Sequence, residues 1–239
     1  MVLRLVALGD SMSEGVGAPV RGGLAGWVQQ LPAFSPEIEL VDNLAQAGSR
    51  ARTVRHLQLK RALSLNPDLV TCVVGINDSL DPRFTQDRFA VEYRALIATL
   101  RASVPVGVVA MTIPDFTSAL PIPQRSRAMI NNRLTQVNEV ITDSFQDHRG
   151  WLIDGTRYPP LRRRGMLAID RLHPNVRGHR FIASEVVQLL QDGGVLSLPP
   201  RELAPYKIIE RVTSSVRHTA WLAHYLPRIV TNARRRGII

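Results

Sequence analysis

The sequence predicts an α/β protein: a central parallel sheet of about five strands covered on both faces by helices, with a helical extension at the C-terminus. Two observations carry this. Five short apolar runs, at residues 3–8, 38–42, 69–74, 106–111 and 151–154, alternate with stretches of helical spacing, and such alternation argues for parallel strands joined by right-handed crossovers. The chain has 239 residues and is 45% hydrophobic, enough for one large core, and nothing in it demands two full domains. Residues 1–194 therefore read as one domain and residues 195–239 as an appendage.

The first strand, residues 3–8, is followed by Gly9-Asp10-Ser11, small and polar residues at the carboxyl end of a strand, where open α/β sheets place their sites. A loop beside that end leads to a helix at Leu24 to Leu31, which Pro32 closes off. Ile38 to Asp42 is the second strand, and Ser49 to Leu65 a helix whose arginines and Lys60 face water, with His56 on its surface. Asn66-Pro67-Asp68 is a turn signal ahead of the third strand, Leu69 to Val74, expected to be the most buried. Phe84 to Ala102 has helical spacing through Phe89, Tyr93, Leu96, Ile97 and Leu100, and the strand Val106 to Met111 follows it. Three prolines between Thr112 and Gln124 mark a loop able to shape a substrate pocket, after which Met129 to Phe145 returns to helical spacing. Trp151 to Asp154 is the last strand. Val176 to Leu190 is a helix with Phe181, Ile182, Val186 and Leu189 on one side.

Ser11 and Ser13 have an ordinary reading as caps of the next helix and a chemical one, in which the strand delivers Ser11 to a reactive surface. Three later blocks bear on the choice. Asn43-Leu44-Ala45-Gln46-Ala47-Gly48 follows the second apolar run, Gly75-Ile76-Asn77-Asp78 follows the third, and Asp170-Arg171-Leu172-His173-Pro174 lies near the end of the domain. With Gly9-Asp10-Ser11, these four motifs in this order resemble the SGNH, or GDSL, family of serine hydrolases over about residues 2 to 192. The resemblance implies a three-layer α/β/α fold similar to flavodoxin. It also implies a carboxylic ester hydrolase that works through Ser11, His173 and Asp170.

The chemistry explains why those residue types are needed. A serine hydroxyl is a poor nucleophile without a base in hydrogen-bond reach and a third group to orient that base. Asp170 and His173 lie three residues apart before a helix, so Asp170 can reach one imidazole nitrogen while the other faces Ser11. Taken alone, Asp170 reads as a turn or cap residue and His173 as a satisfied surface histidine. Charge moving onto a carbonyl oxygen requires fixed donors, and the family pattern carries that oxyanion role onto the Ser11 N–H, the Gly48 N–H and the Asn77 amide. Asp10 and Asp78 read as residues that hold loops by accepting N–H bonds. The family spans lipases, thioesterases, carbohydrate deacetylases and acyltransferases, which leaves the acyl group and its acceptor open. A binding module on an inactivated scaffold is the reading outside enzyme chemistry.

Other classes find little support. Gly15-x-Gly17 lacks the third glycine of a dinucleotide fingerprint, and no Walker motif is present. His56, His148, His179, His218 and His224 have no metal-ligand spacing, so neither cofactor nor metal is expected. The lone Cys72 reads as a small core residue. No apolar stretch approaches the roughly 18 residues that span a bilayer, and Ser11 lies too near the start for a cleavable leader, so a cytoplasmic location is expected.

The net charge of +10 is concentrated in residues 195–239, which hold eight Arg or Lys against two Glu. No zinc-finger, RNP or basic-zipper pattern accompanies it, so nucleic acid is not an expected partner. Ile208, Ile209, Val212, Val216, Ala223, Leu226 and Val230 recur at near-helical spacing among Arg211, Arg217 and Arg228. They predict an amphipathic helix bent at Pro227, suited to an anionic membrane surface, to its own domain or to a second subunit. The expected substrate is a small-molecule or lipid-like acyl ester.

Overall fold

The computed structural model describes residues 2–146, 150–157 and 165–203, with the single positions Val216 and Thr219, both helical. Apart from those two, the extension from residue 204 onward lies outside the described residues, as do His148, His218 and His224.

Strand β1 (Leu3–Gly9) runs into a short helix α1 (Ser11–Glu14), and a small antiparallel hairpin follows, β2 (Pro19–Val20) with β3 (Gly23–Leu24). Helix α2 (Trp27–Phe34) leads to β4 (Ile38–Asn43). The next helical stretch has three parts: α3 (Ala51–Thr53), a π-helical turn Val54–Gln58 and α4 (Leu59–Ser64). Strand β5 (Leu69–Val73) is followed by the single turn α5 (Ile76–Ser79) and the long helix α6 (Gln86–Ser103). Then come β6 (Gly107–Met111), α7 (Gln124–Asp143), β7 (Trp151–Ile153) and α8 (Val176–Asp192). The main sheet has five strands in the order β4-β1-β5-β6-β7, and each neighbouring pair is parallel. This is the doubly wound order in which the chain leaves β1 toward one edge and β5 toward the other, opening a crevice at the carboxyl ends of those two strands.

Alternate residues of each strand feed two cores. Val6 and Leu8 of β1, Val70 and Cys72 of β5, and Val108 and Ala110 of β6 pack under α3, α4, α6 and α7. Leu5 and Ala7, Leu69 and Val73, and Val109 and Met111 face the opposite way, onto α2 and α8. The helices thus cover both faces, as the alternation of elements requires. Cys72 is a buried core residue, and burial pushes its thiol up to about 12. All five residues of β5 are buried, and so are all five of β6.

Several boundaries differ from the sequence expectation. The helix expected at Leu24 to Leu31 runs instead from Trp27 to Phe34 and passes through Pro32. Leu24 is taken by β3, while Leu31 and Phe34 are buried on the sheet, which offsets the backbone donor that proline lacks. Helix α7 begins at Gln124 rather than Met129, because its first turn is polar and exposed and leaves no apolar stripe to read. The stripe that α8 buries comprises Ile182, Ala183, Val186, Val187 and Leu190, with Phe181 and Leu189 half-buried at its border. Among the described residues, no helix is long and apolar enough to cross a membrane.

Candidate active site

The site is built at the ends of β1 and β5. Gly9 closes β1 at φ +140, and a Cβ there would lie 2.3 Å from the Val73 carbonyl oxygen, so only glycine lets the chain turn out of the sheet at this point. Asp10 then caps α1, its carboxylate accepting the Met12 N–H at 3.0 Å, and Ser11 is the first helical residue. Asp10 is 1% exposed. Burial raises its carboxyl to about 7, with a further contribution from Asp78.

Ser11 Oγ lies 2.8 Å from His173 Nε2, and His173 Nδ1 lies 2.7 Å from Asp170 Oδ2. The other carboxylate oxygen of Asp170 accepts the backbone N–H groups of Leu172 and His173, both at 3.0 Å. Both ring bonds are satisfied when Nδ1 carries the ring proton and donates it to Asp170, which leaves Nε2 to accept the Ser11 hydroxyl. The two acidic and basic side chains are shielded, at 12% and 11% exposure.

The loop that presents His173 is closed on itself. The Ala168 N–H donates to the His173 carbonyl at 2.8 Å, the Asn175 N–H to the Met166 carbonyl at 2.8 Å, and Leu167 bridges Pro174. Asn175 secures both ends of this arrangement. Its Nδ2 donates to the Gly165 and Leu167 carbonyls, while its Oδ1 accepts the Arg177 and Gly178 N–H groups and caps α8. Gly17, at φ +99, lets the loop after α1 pass close to the His173 loop: a Cβ there would sit 2.2 Å from the Pro174 carbonyl oxygen.

The donors expected for an oxyanion follow the carboxyl ends of β1, β4 and β5. Asn77 lies in α5, and its amide donates to the Ser49 carbonyl at 3.1 Å, which leaves the second amide hydrogen without a partner among the described residues. Gly48 is exposed in the turn after β4, and neither its N–H nor that of Ser11 has a partner among the described residues. The turn is tied to α1 by Glu14, whose carboxylate accepts the Ala47 N–H at 2.7 Å, and by Asn43, whose amide donates to the Ser13 carbonyl. Burial holds the Glu14 carboxyl above its ordinary value. Asp78 accepts the Ala51 N–H, and burial raises it to about 7. Asp10 and Asp78 therefore fasten loops, as their positions suggested.

Three side chains that sequence reasoning passed over support this geometry. Gln58 is 3% exposed; the π turn carries its amide to the end of β1, where it accepts the Gly9 N–H and donates to the Gly9 carbonyl, both at 2.9 Å, and also donates to Ser49 Oγ. Its signal was present, since Gln58 shares a helical stripe with Ala51, Val54 and Ala62, all buried. Asn175 shows the cap signature of an Asn ahead of an apolar-periodic stretch. His179, fully buried, accepts the Trp27 N–H through Nδ1 and donates to the Val16 carbonyl through Nε2, and burial lowers it to about 4. His56 is a surface residue beside Glu92. Among the described residues, no three His, Cys, Asp or Glu side chains gather in a group able to hold a metal ion.

No curated protein sequence matches the chain. Among solved structures, the chain is similar to an α/β hydrolase from the metagenome of Lake Arreo, with 24% identity and a TM-score of 0.62 over 81% of this chain and 96% of that one. It is also similar to a psychrotrophic esterase from Pseudoalteromonas, with 20% identity and a TM-score of 0.62 over 80% and 97%. A third similar structure is an acetylxylan esterase from Geobacillus stearothermophilus, with 21% identity and a TM-score of 0.59 over 79% and 94%. These likenesses establish the shared fold. The model of the GDSL-like lipase/acylhydrolase family matches residues 7–181, well over half of the chain, and the protein accordingly belongs to that family of ester hydrolases.

Proposed function

We propose that the protein hydrolyses a carboxylic ester through an acyl-enzyme on Ser11, with His173 as base and Asp170 orienting it. The observation that carries the reading is the unbroken chain from Ser11 Oγ to His173 Nε2 at 2.8 Å and from His173 Nδ1 to Asp170 at 2.7 Å. Ser11 Oγ bonds to the carbonyl carbon while its proton passes to His173 Nε2, and Asp170 stabilises the imidazolium. The oxygen that gains charge is taken by the N–H groups of Ser11 and Gly48 and by the Asn77 amide. The C–O bond to the alcohol then breaks, and the alcohol leaves with the proton from His173. Water attacks the acyl-enzyme, gives a proton to His173, and the acid departs as Ser11 Oγ recovers that proton.

A fluorophosphonate probe should label the wild type stoichiometrically and leave Ser11→Ala unlabelled. Ser11→Ala and His173→Ala should each lose at least about a thousandfold in kcat with Tm unchanged, and Asp170→Asn should lose less. Full esterase activity in Ser11→Ala would sink the mechanism. Asn77→Ala should lower kcat by about 100-fold or more with little change in KM; a loss wholly in KM would make Asn77 a substrate-binding residue instead.

A further inference from the structure

Beside Ser11 and His173 lies an apolar slot of about 30 Å³ whose walls include Val74, Ile76, Met111, Ile113, Pro114 and Leu172. One water-sized group needs about 10–15 Å³ on this measure, so the slot holds about two or three. Its walls are fixed. The Ile113 N–H donates to Asn138 Oδ1 at 2.7 Å, and its carbonyl accepts the Asn138 amide at 2.9 Å, so one side chain of α7 clamps both backbone polar groups of the residue that faces the slot. The Thr112 N–H donates to the Ile153 carbonyl at 2.9 Å, and its hydroxyl bonds Asp154 at 3.1 Å. Met111 and Ile113 are themselves buried in the two cores, at 3% and 8% exposure. Widening the slot would mean breaking these bonds or repacking the core.

The molecule has a larger groove, of about 450 Å³, between α3 and the start of α6, but neither Ser11 nor His173 lines it. Four arginines and four acidic residues do, including the Arg50–Asp81 ion pair.

Resting on the reading of Ser11 as the residue that is acylated, we infer that the slot receives the acyl chain beyond its carbonyl and limits the enzyme to short acyl esters of no more than about four carbons, with Ile113 as the residue that sets the limit. A chain of six carbons exceeds this space, so its outer methylenes must leave the slot or displace Ile113 or Met111, and a hydrophobic pocket that must reject extra methylenes does so by about 10-fold or more.

The test is kcat/KM for a series of p-nitrophenyl esters from acetate to octanoate, measured on wild type, Ile113→Ala and Met111→Ala. Wild type should favour acetate and propionate, with hexanoate and octanoate at least about tenfold lower. Ile113→Ala should raise the hexanoate-to-acetate ratio at least about tenfold, and Met111→Ala should move it in the same direction. The ratio within one protein is independent of the folded fraction, so a partly destabilised variant still reports. Wild type that cleaves hexanoate as well as acetate, or a ratio unchanged in both variants, overturns the short-acyl assignment while the esterase reading stands. Absence of cleavage for every ester, together with failure of a fluorophosphonate to label Ser11, overturns that reading and the slot assignment with it.

Discussion

Ser11 and His173 meet at 2.8 Å, yet different kinds of structure hold them there. Ser11 follows a strand paired on both sides, by β4 and by β5, and Gly9 behind it is gripped from the helical layer by the buried amide of Gln58, 49 residues away in sequence. His173 stands on a loop whose bonds are mostly local, Asp170 to the Leu172 and His173 N–H groups and Ala168 to the His173 carbonyl. Ser11 is therefore placed by the core and His173 by its own neighbourhood. Changes behind Ser11 should cost stability and activity together, whereas changes beneath His173 should cost activity more than stability. His179 joins the two regions, reaching from α8 to the Val16 carbonyl and the Trp27 N–H.

The largest effect on stability should come from Gln58→Leu. It removes the partners of the Gly9 N–H and of Ser49 Oγ, while the Gly9 carbonyl keeps the Gln46 N–H, and an unsatisfied buried group costs about 1–3 kcal/mol. A loss of about 3 kcal/mol in urea unfolding, with a fall in kcat beyond the unfolded fraction, is expected. Loss of stability with unchanged kcat in the folded protein would break the link between the core and Ser11.

The second effect depends on pH. His179 is lowered from its ordinary 6.5 to about 4 by burial, so it takes up a proton on unfolding between those values. Its stabilisation is complete above about pH 6.5 and is lost as the pH falls toward 4, by about 3 kcal/mol. Asp10 and Asp78, both raised to about 7, run the opposite way over the whole of that range. The measurement is therefore the difference in unfolding free energy between wild type and His179→Gln at each pH, which should shrink from pH 7 to pH 4. A constant difference would remove His179 as the titrating group.

Asn175→Ala should have the smallest effect on stability, about 1 kcal/mol for a lost helix cap. Because the same side chain ties down the Gly165 and Leu167 carbonyls behind His173, kcat should fall by about tenfold, a separation of activity from stability not expected for Gln58→Leu. Equal proportional losses in the two variants would erase the contrast between core-held and loop-held halves.

The sequence by itself determined the five strands and the main helices between them, and it singled out Ser11, Asp170, His173, Gly48 and Asn77 as candidates. Those features are encoded locally, in continuous apolar runs, helical spacing and short motifs at strand ends, and the family motifs added the order in which they occur. The same local encoding explains the errors: the polar first turn of α7 carries no stripe, and Pro32 reads as a stop only while the burial of Phe34 is unseen. Tertiary structure alone decided what Gln58 and His179 do, because a buried polar side chain is defined by the partner it reaches, and those partners lie 49 and 152 or more residues away. It alone also set the size of the slot beside Ser11, since Met111, Ile113 and Leu172 come together only when β6, the loop after it and the His173 loop are folded against one another. Sequence specifies which groups can react; packing between distant segments specifies how much room they are given.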